Sequence, residues 1–167
     1  MSLHARIREA LLGSVSLALA TLIVAGAAHA SQTQRGTSAA VTTGVCTLKT
    51  FDLTPTAIRG EDFGVLKCPR WLGRGVQHNR SILTPTSATT GTLKGSLTLY
   101  FSRGTVRSRF ALRYTISGST ITFSGTAKVT GGTAAYKGIT GSAKLAGSST
   151  DGGSHSTITE RIRVRRP

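Results

Sequence analysis

The stretch Thr105-Val106-Arg107-Ser108-Arg109-Phe110-Ala111-Leu112-Arg113-Tyr114-Thr115-Ile116 decides the architecture. Val106, Phe110, Leu112, Tyr114 and Ile116 share one parity, and Arg107, Arg109 and Arg113 share the other. Successive side chains leave a pleated backbone on opposite sides, so a period of two marks a strand with one buried face. The pattern repeats on both sides. Upstream, Leu97, Leu99 and Phe101 alternate with Ser96, Thr98, Tyr100 and Ser102. Downstream, Ile121, Phe123, Ala127 and Val129 alternate with threonine, serine and Lys128, and Ile139, Ala143 and Leu145 alternate with Thr140, Ser142 and Lys144. The final segment sets Ile158, Ile162 and Val164 against Arg161, Arg163 and Arg165.

Between these segments stand Ser102-Arg103-Gly104, Ser117-Gly118-Ser119, Gly131-Gly132-Thr133 and Asp151-Gly152-Gly153-Ser154, the glycine-bearing turns that join hairpins. Five consecutive antiparallel strands follow. The front half carries a weaker signal, with strands expected at Gly44 to Phe51, Asp62 to Cys68 and Gly73 to Asn79, and a loop from Ile82 to Thr90. Seven or eight strands at this spacing make an all-β, antiparallel, eight-stranded β-barrel or a two-sheet β-sandwich. Closure removes exposed strand edges, and the inward parity of Gly125, Ala127, Gly141 and Ala143 suits a tapering barrel interior.

The chain has 167 residues with 21 Lys or Arg against 6 Asp or Glu, a net charge of +15 that excludes an acidic calcium-loading protein. Its first thirty residues read as a signal peptide. Arg6 and Arg8 precede an apolar run from Leu11 to Gly26, and Ala28-His29-Ala30 supplies small residues for cleavage before Ser31. That run is shorter than the roughly 20 residues that a membrane-spanning helix needs. Cleavage leaves a net charge of +14 on a secreted, extracellular chain with no transmembrane segment. Residues 31–42 read as a flexible lead of Ser, Thr and Gln, and 43–167 as a single domain. Gly, Ser and Thr make up 58 of the 137 remaining residues, too polar a composition for a helical bundle.

Cys46 and Cys68 form an even pair in an exported chain, which predicts one disulfide bond. Two thiols without a histidine cluster are too few for structural zinc, and no metal or cofactor is expected.

The run Gly131-Gly132-Thr133-Ala134-Ala135-Tyr136-Lys137-Gly138-Ile139-Thr140-Gly141 resembles the GGTGxFxGAxG hairpin of the allene oxide cyclase and dirigent-like β-barrel superfamily. It also resembles small secreted bacterial proteins with repeated SGT and GGT strands. The likeness spans about residues 91 to 165, and its specific part is the hairpin. It implies an eight-stranded antiparallel barrel with a central cavity, and an aromatic, here Tyr136, packed at the barrel end. Ala134 stands where the family has glycine, and Thr140 interrupts its usual small pair. None of the family's active-site residues matches a position here.

Catalytic motifs are missing: there is no G-x-S-x-G elbow, H-E-x-x-H, P-loop or dinucleotide fingerprint. After cleavage the imidazoles are His78 and His155, and the carboxylates are Asp52, Glu61, Asp62, Asp151 and Glu160. Glu160 breaks its strand's rule by sharing the parity of Ile158, Ile162 and Val164. It is expected near the barrel mouth, hydrated or paired with an arginine. If buried without a partner, it would have a raised pKa suited to acid-base work or to gripping a polar ligand.

The arginines form two stripes, Arg107, Arg109 and Arg113 on one strand and Arg161, Arg163 and Arg165 on the last. Outward, they suit phosphate, sulfated sugar or an anionic envelope or extracellular polymer, or else simply keep the surface solvated. Nucleic acid is disfavoured by the signal peptide and by the absence of interleaved aromatics. Two functions follow: a non-enzymatic barrel that binds a small apolar ligand or an anionic polymer, and an isomerase or lyase of the allene oxide cyclase type with Glu160 polarising an intermediate. This charge distribution also predicts an interior without charged lining. The sequon Asn79-Arg80-Ser81 would matter only in a glycosylating host.

Overall fold

A computed structural model describes residues 40–53 and 58–166. The signal peptide and the lead up to residue 39 lie outside these described residues. Eight strands follow in order: β1 (Val41–Asp52), β2 (Arg59–Lys67), β3 (Arg74–Pro85), β4 (Thr90–Phe101), β5 (Gly104–Ser117), β6 (Thr120–Gly132), β7 (Thr140–Ser149) and β8 (His155–Arg165), with one 3-10 turn at Ala134–Tyr136. Each strand pairs antiparallel with the next. The first also pairs with the last, from Val41 opposite Arg165 to Phe51 opposite His155. The sheet is therefore a closed barrel and not a sandwich.

The back half runs as its alternation requires. On β5, Val106, Ser108, Phe110, Leu112 and Tyr114 are buried while Arg107, Arg109 and Arg113 are exposed. A bulge on β6 at Thr130, opposite Arg107 and Ser108, adds curl near the end of the ladder. Gly95 separates Ser81 from Phe110 across β3, β4 and β5. A Cβ there would lie 2.1 Å from the Arg80 carbonyl oxygen and 2.8 Å from the Phe110 ring, so glycine lets three strands bend closely around that side chain.

The front half departs from expectation in length. Strand β3 continues through Ile82, Leu83, Thr84 and Pro85, and the connection to β4 shrinks to residues 86–89. The alternation persists there, with Ser81 buried and Ile82 exposed, and Pro85 ends the strand where a missing N–H costs least. Strand β1 starts at Val41, so Val41 and Thr42 belong to the ladder with β8 and not to the lead.

One end of the barrel is closed. Cys46 and Cys68 form the disulfide, tying the first strand to the exit of β2. Bridging residues 22 apart stabilises the fold by about 3 kcal/mol in the chain-entropy account. Leu72, Phe101, Tyr136, Ile139 and Val164 complete this buried floor. Tyr136 tilts against Phe101 at 5.5 Å between ring centroids, and its hydroxyl donates to the Leu72 carbonyl at 3.4 Å. The hairpin aromatic thus sits at the barrel end, as the resemblance implied.

Ala134 holds φ +49°, the one non-glycine residue in the left-handed region among the described residues. That conformation costs an L-residue roughly 1–2 kcal/mol, partly offset by the greater freedom glycine has when unfolded. Ala134→Gly is therefore expected to raise stability by about 0.5–1 kcal/mol, read from the urea midpoint at unchanged slope; an unchanged or lower midpoint would show that the turn carries no strain.

Candidate functional site

The opposite end of the barrel is open and leads into a cavity of about 400 Å³. Its two walls differ in chemistry. Leu93, Leu97, Phe110, Leu112, Tyr114, Ile121 and Phe123 of β4, β5 and β6, with Leu145 and Ile158 of β7 and β8, form an apolar wall. Thr50 and Asp52 of β1, Asp62 of β2, and Gln77, Asn79 and Ser81 of β3 form a polar one. Arg59 and Gly60 at the start of β2, Ser87 and Ala88 of the β3–β4 loop, and Gly152 and Gly153 of the β7–β8 turn surround the mouth.

Polar residues reach the interior because β2 and β3 invert the usual pattern and because β1, beyond its buried Cys46 and Leu48, turns Thr50 and Asp52 inward. Val76 and Ile82 point outward while Gln77, Asn79 and Ser81 point inward, and on β2 Phe63 and Val65 are exposed while Asp62 faces the cavity. Asp62 and Asn79 are cross-strand partners, and the Asn79 amide Nδ2 donates to Asp62 Oδ2 at 2.6 Å. Asp52 stands opposite Asp62 on the β1 side. Burial pushes the Asp62 carboxyl up to about 6, against the lowering effect of the Asn79 hydrogen bond and with a further push from the charge of Asp52.

The interior thus contains charged lining that the sequence reading did not expect. Ser81 donates to the Gly60 carbonyl at 3.4 Å. Gln77 Oε1 and Asn79 Oδ1, both buried, have no hydrogen-bond partner. Burial of Asn79 inside the barrel also removes it as a glycosylation acceptor.

Glu160 lies elsewhere than expected. It is 3% exposed, opposite Cys46 on β1 and Leu145 on β7, and it does not line the open cavity. The expectation of a hydrated mouth position or an arginine partner fails because the arginines of β8 occupy the opposite parity and point outward. Oε2 has no hydrogen-bond partner, and burial alone pushes the carboxyl up to about 7.

Both histidines among the described residues, His78 and His155, lie outside the cavity. His78 and Arg80 contact Glu61 Oε1 at 2.6 and 3.1 Å on the outer face, where Phe63 stacks on the His78 ring at 4.4 Å. These hydrogen bonds, from His78 first and Arg80 second, hold the Glu61 carboxyl below its usual range. At the β7–β8 turn, the backbone N–H of His155 and the hydroxyl of Ser149 donate to Asp151, and His155 Nδ1 lies 2.7 Å from its other oxygen. The same contacts lower the Asp151 pKa.

The arginine stripes face outward as expected, and the register joins them. Arg109 pairs with Lys128 of β6, Lys128 with Ser142 of β7, and Ser142 with Arg163 of β8. One step along, Lys144 pairs with Arg161. Arg107, Arg113 and Arg165 extend this face, and no carboxylate points outward from β5, β6, β7 or β8.

No protein-family model matches the chain, nor does any curated protein. Among solved structures, a pyocyanin demethylase is similar at 13% identity with a TM-score of 0.42, over 75% of this chain and 99% of that one. No functional residue is carried over from it.

The buried carboxyl of Glu160 gives folding a pH dependence. Its folded pKa of about 7 exceeds the ordinary glutamate value of 4.5, so the native state holds a proton that the unfolded chain releases. This stability is fully present below about pH 4.5 and is lost as pH rises through 7. Glu160→Gln is expected to raise stability at about pH 8 by up to roughly 3 kcal/mol. It should leave a shallower decline across the lower window set by Asp62, whose pKa is also raised, to about 6. Denaturant midpoints measured from acid to mildly alkaline pH check this, and equal midpoints for both proteins on the alkaline side would contradict it.

Proposed function

We propose that the protein is a secreted binding protein that takes a small, largely apolar ligand into the barrel cavity. The observation that carries this reading is a cavity of about 400 Å³, closed at one end by the disulfide floor, with an apolar wall facing a polar one. Ligand sites in proteins have this size and this mixture, mostly apolar lining with a few convergent polar groups that orient the ligand. The Gly131–Gly141 hairpin supports the same use, since the allene oxide cyclase and dirigent-like barrels that it resembles enclose a central cavity. The isomerase alternative requires Glu160 to touch the bound molecule, and that side chain is not in the cavity lining.

Prodan, a neutral naphthalene dye small enough for the space, is expected to bind with a Kd between about 1 and 100 µM. Leu93→Trp, which fills the lining near the mouth, should weaken it at least about tenfold, a loss of some 1.4 kcal/mol. Dye binding unaffected by that variant would place the dye outside the barrel and sink the reading.

The joined cationic face supports a second activity, retention on an anionic extracellular or envelope polymer. Arg109, Lys128, Lys144, Arg161 and Arg163 occupy neighbouring positions on four adjacent strands with no outward carboxylate among them. Replacing Arg109, Lys128 and Arg163 by serine should lower the salt needed to elute the protein from heparin resin more than replacing Arg74, Arg80 and Lys94. Equal losses would mean that net charge alone is read.

A further inference from the structure

The cavity's polar wall has its own selectivity. Among the described residues, the buried side-chain atoms without a hydrogen-bond partner are Gln77 Oε1, Asn79 Oδ1 and Glu160 Oε2, and the two amide oxygens can only accept. Two of these belong to residues that line the cavity, Gln77 at 1% and Asn79 at 8% exposure. The orientation of Asn79 is set by its neighbour: Nδ2 donates to Asp62 Oδ2 at 2.6 Å, which leaves Oδ1 as the free acceptor. Gln77 is the preceding inward residue on the same strand, so amide oxygens and a carboxylate stand together on the β2–β3 wall, with Asp52 facing Asp62 from β1.

A buried acceptor is satisfied only by a donor, and the chain leaves that role open at both amides. An anionic ligand would bring no donor and would place its charge against Asp62 and Asp52. A neutral alcohol offers one donor. An ammonium group offers three, together with the opposite charge, and so matches a carboxylate flanked by amide oxygens. Arg59, the one cation among the lining residues, lies at the start of β2 toward the mouth, while Asp62 and Asn79 lie further along the strand.

We propose that the ligand carries a protonated amine, which seats against Asp62, Asn79 and Gln77 while its apolar body lies on Phe110 and Leu112. This deepens the cavity reading and rests on it. The Asp62 carboxyl, held near 6 by burial, is ionised in mildly alkaline solution and becomes more so beside a cation.

The test is displacement of prodan from the full oxidised protein at about pH 8 by three probes of one shape: naphthylethylamine, naphthylethanol and naphthylacetate. The amine should bind at least about tenfold more tightly than the alcohol, and the carboxylate more weakly than either. Asp62→Asn should cost the amine at least about tenfold more affinity than it costs the alcohol, and the alcohol binding that remains also reports that the variant is folded. If that variant loses the alcohol too, Asn79→Leu applies the same criterion. An amine no tighter than the alcohol, a carboxylate as tight as the amine, or an amine preference that survives both substitutions would overturn the inference and leave the cavity reading intact. Loss of prodan and of all three probes would instead be the failure of the cavity reading itself.

Discussion

The pairing of β1 with β8 is the constraint on which everything else depends. Until that ladder forms, the chain is a curled sheet with two open edges, and the two faces of each strand are simply faces. Once it forms, one parity of every strand becomes an interior without bulk solvent and the other becomes the surface. The disulfide does not cross this seam: it ties Cys46 of β1, which stands directly opposite Glu160 of β8, to Cys68 just after β2, and so fixes the β1 side of the ladder.

Closure then sorts charge by chemistry. Every Lys and Arg of β5 to β8 points outward, whereas three of the described carboxylates, Asp52, Asp62 and Glu160, face inward. The asymmetry has a simple origin. A carboxyl can escape the cost of burial by keeping a proton, and the raised pKa values of Asp62 and Glu160 express that escape. A guanidinium cannot deprotonate, so an arginine of inward parity would carry its full desolvation cost. A strongly basic chain can therefore enclose an acidic interior, and its net charge describes its surface alone.

The same sorting explains what could be read from the residues and what could not. Strands β4 to β8 were legible because their inward positions are apolar and their outward positions carry hydroxyls and cations, so alternation and burial agree. The antiparallel all-β fold and the outward arginines follow from that agreement, whereas the disulfide follows from an even pair of cysteines in a chain read as exported. On β2 and β3 the alternation exists with its sign reversed: Phe63, Val65, Val76 and Ile82 are exposed, and Asp62, Gln77, Asn79 and Ser81 face inward. A reading that equates apolar with inside sees only noise there, although strict alternation of Val76, His78, Arg80 and Ile82 with Gln77, Asn79, Ser81 and Leu83 was available in the sequence. Glu160 was found by parity, but its surroundings depend on strands distant in the chain, which is why its expected place at the mouth was wrong.

The illegible strands and the cavity's polar wall are the same residues, and the coincidence is physical. A barrel of eight strands can be filled by its own side chains, and an inward face of leucine and valine on β1 to β3 would have done so at lower cost. Glycine, serine, threonine and amides take those places, so volume and apolar contact are forgone where β2 and β3 meet the cavity. The cost is tolerated because the opposite end is secured independently by the disulfide and by the packing of Tyr136, Phe101, Leu72 and Ile139. Stability is concentrated at the floor, and the polar wall toward the mouth is left free to serve a ligand.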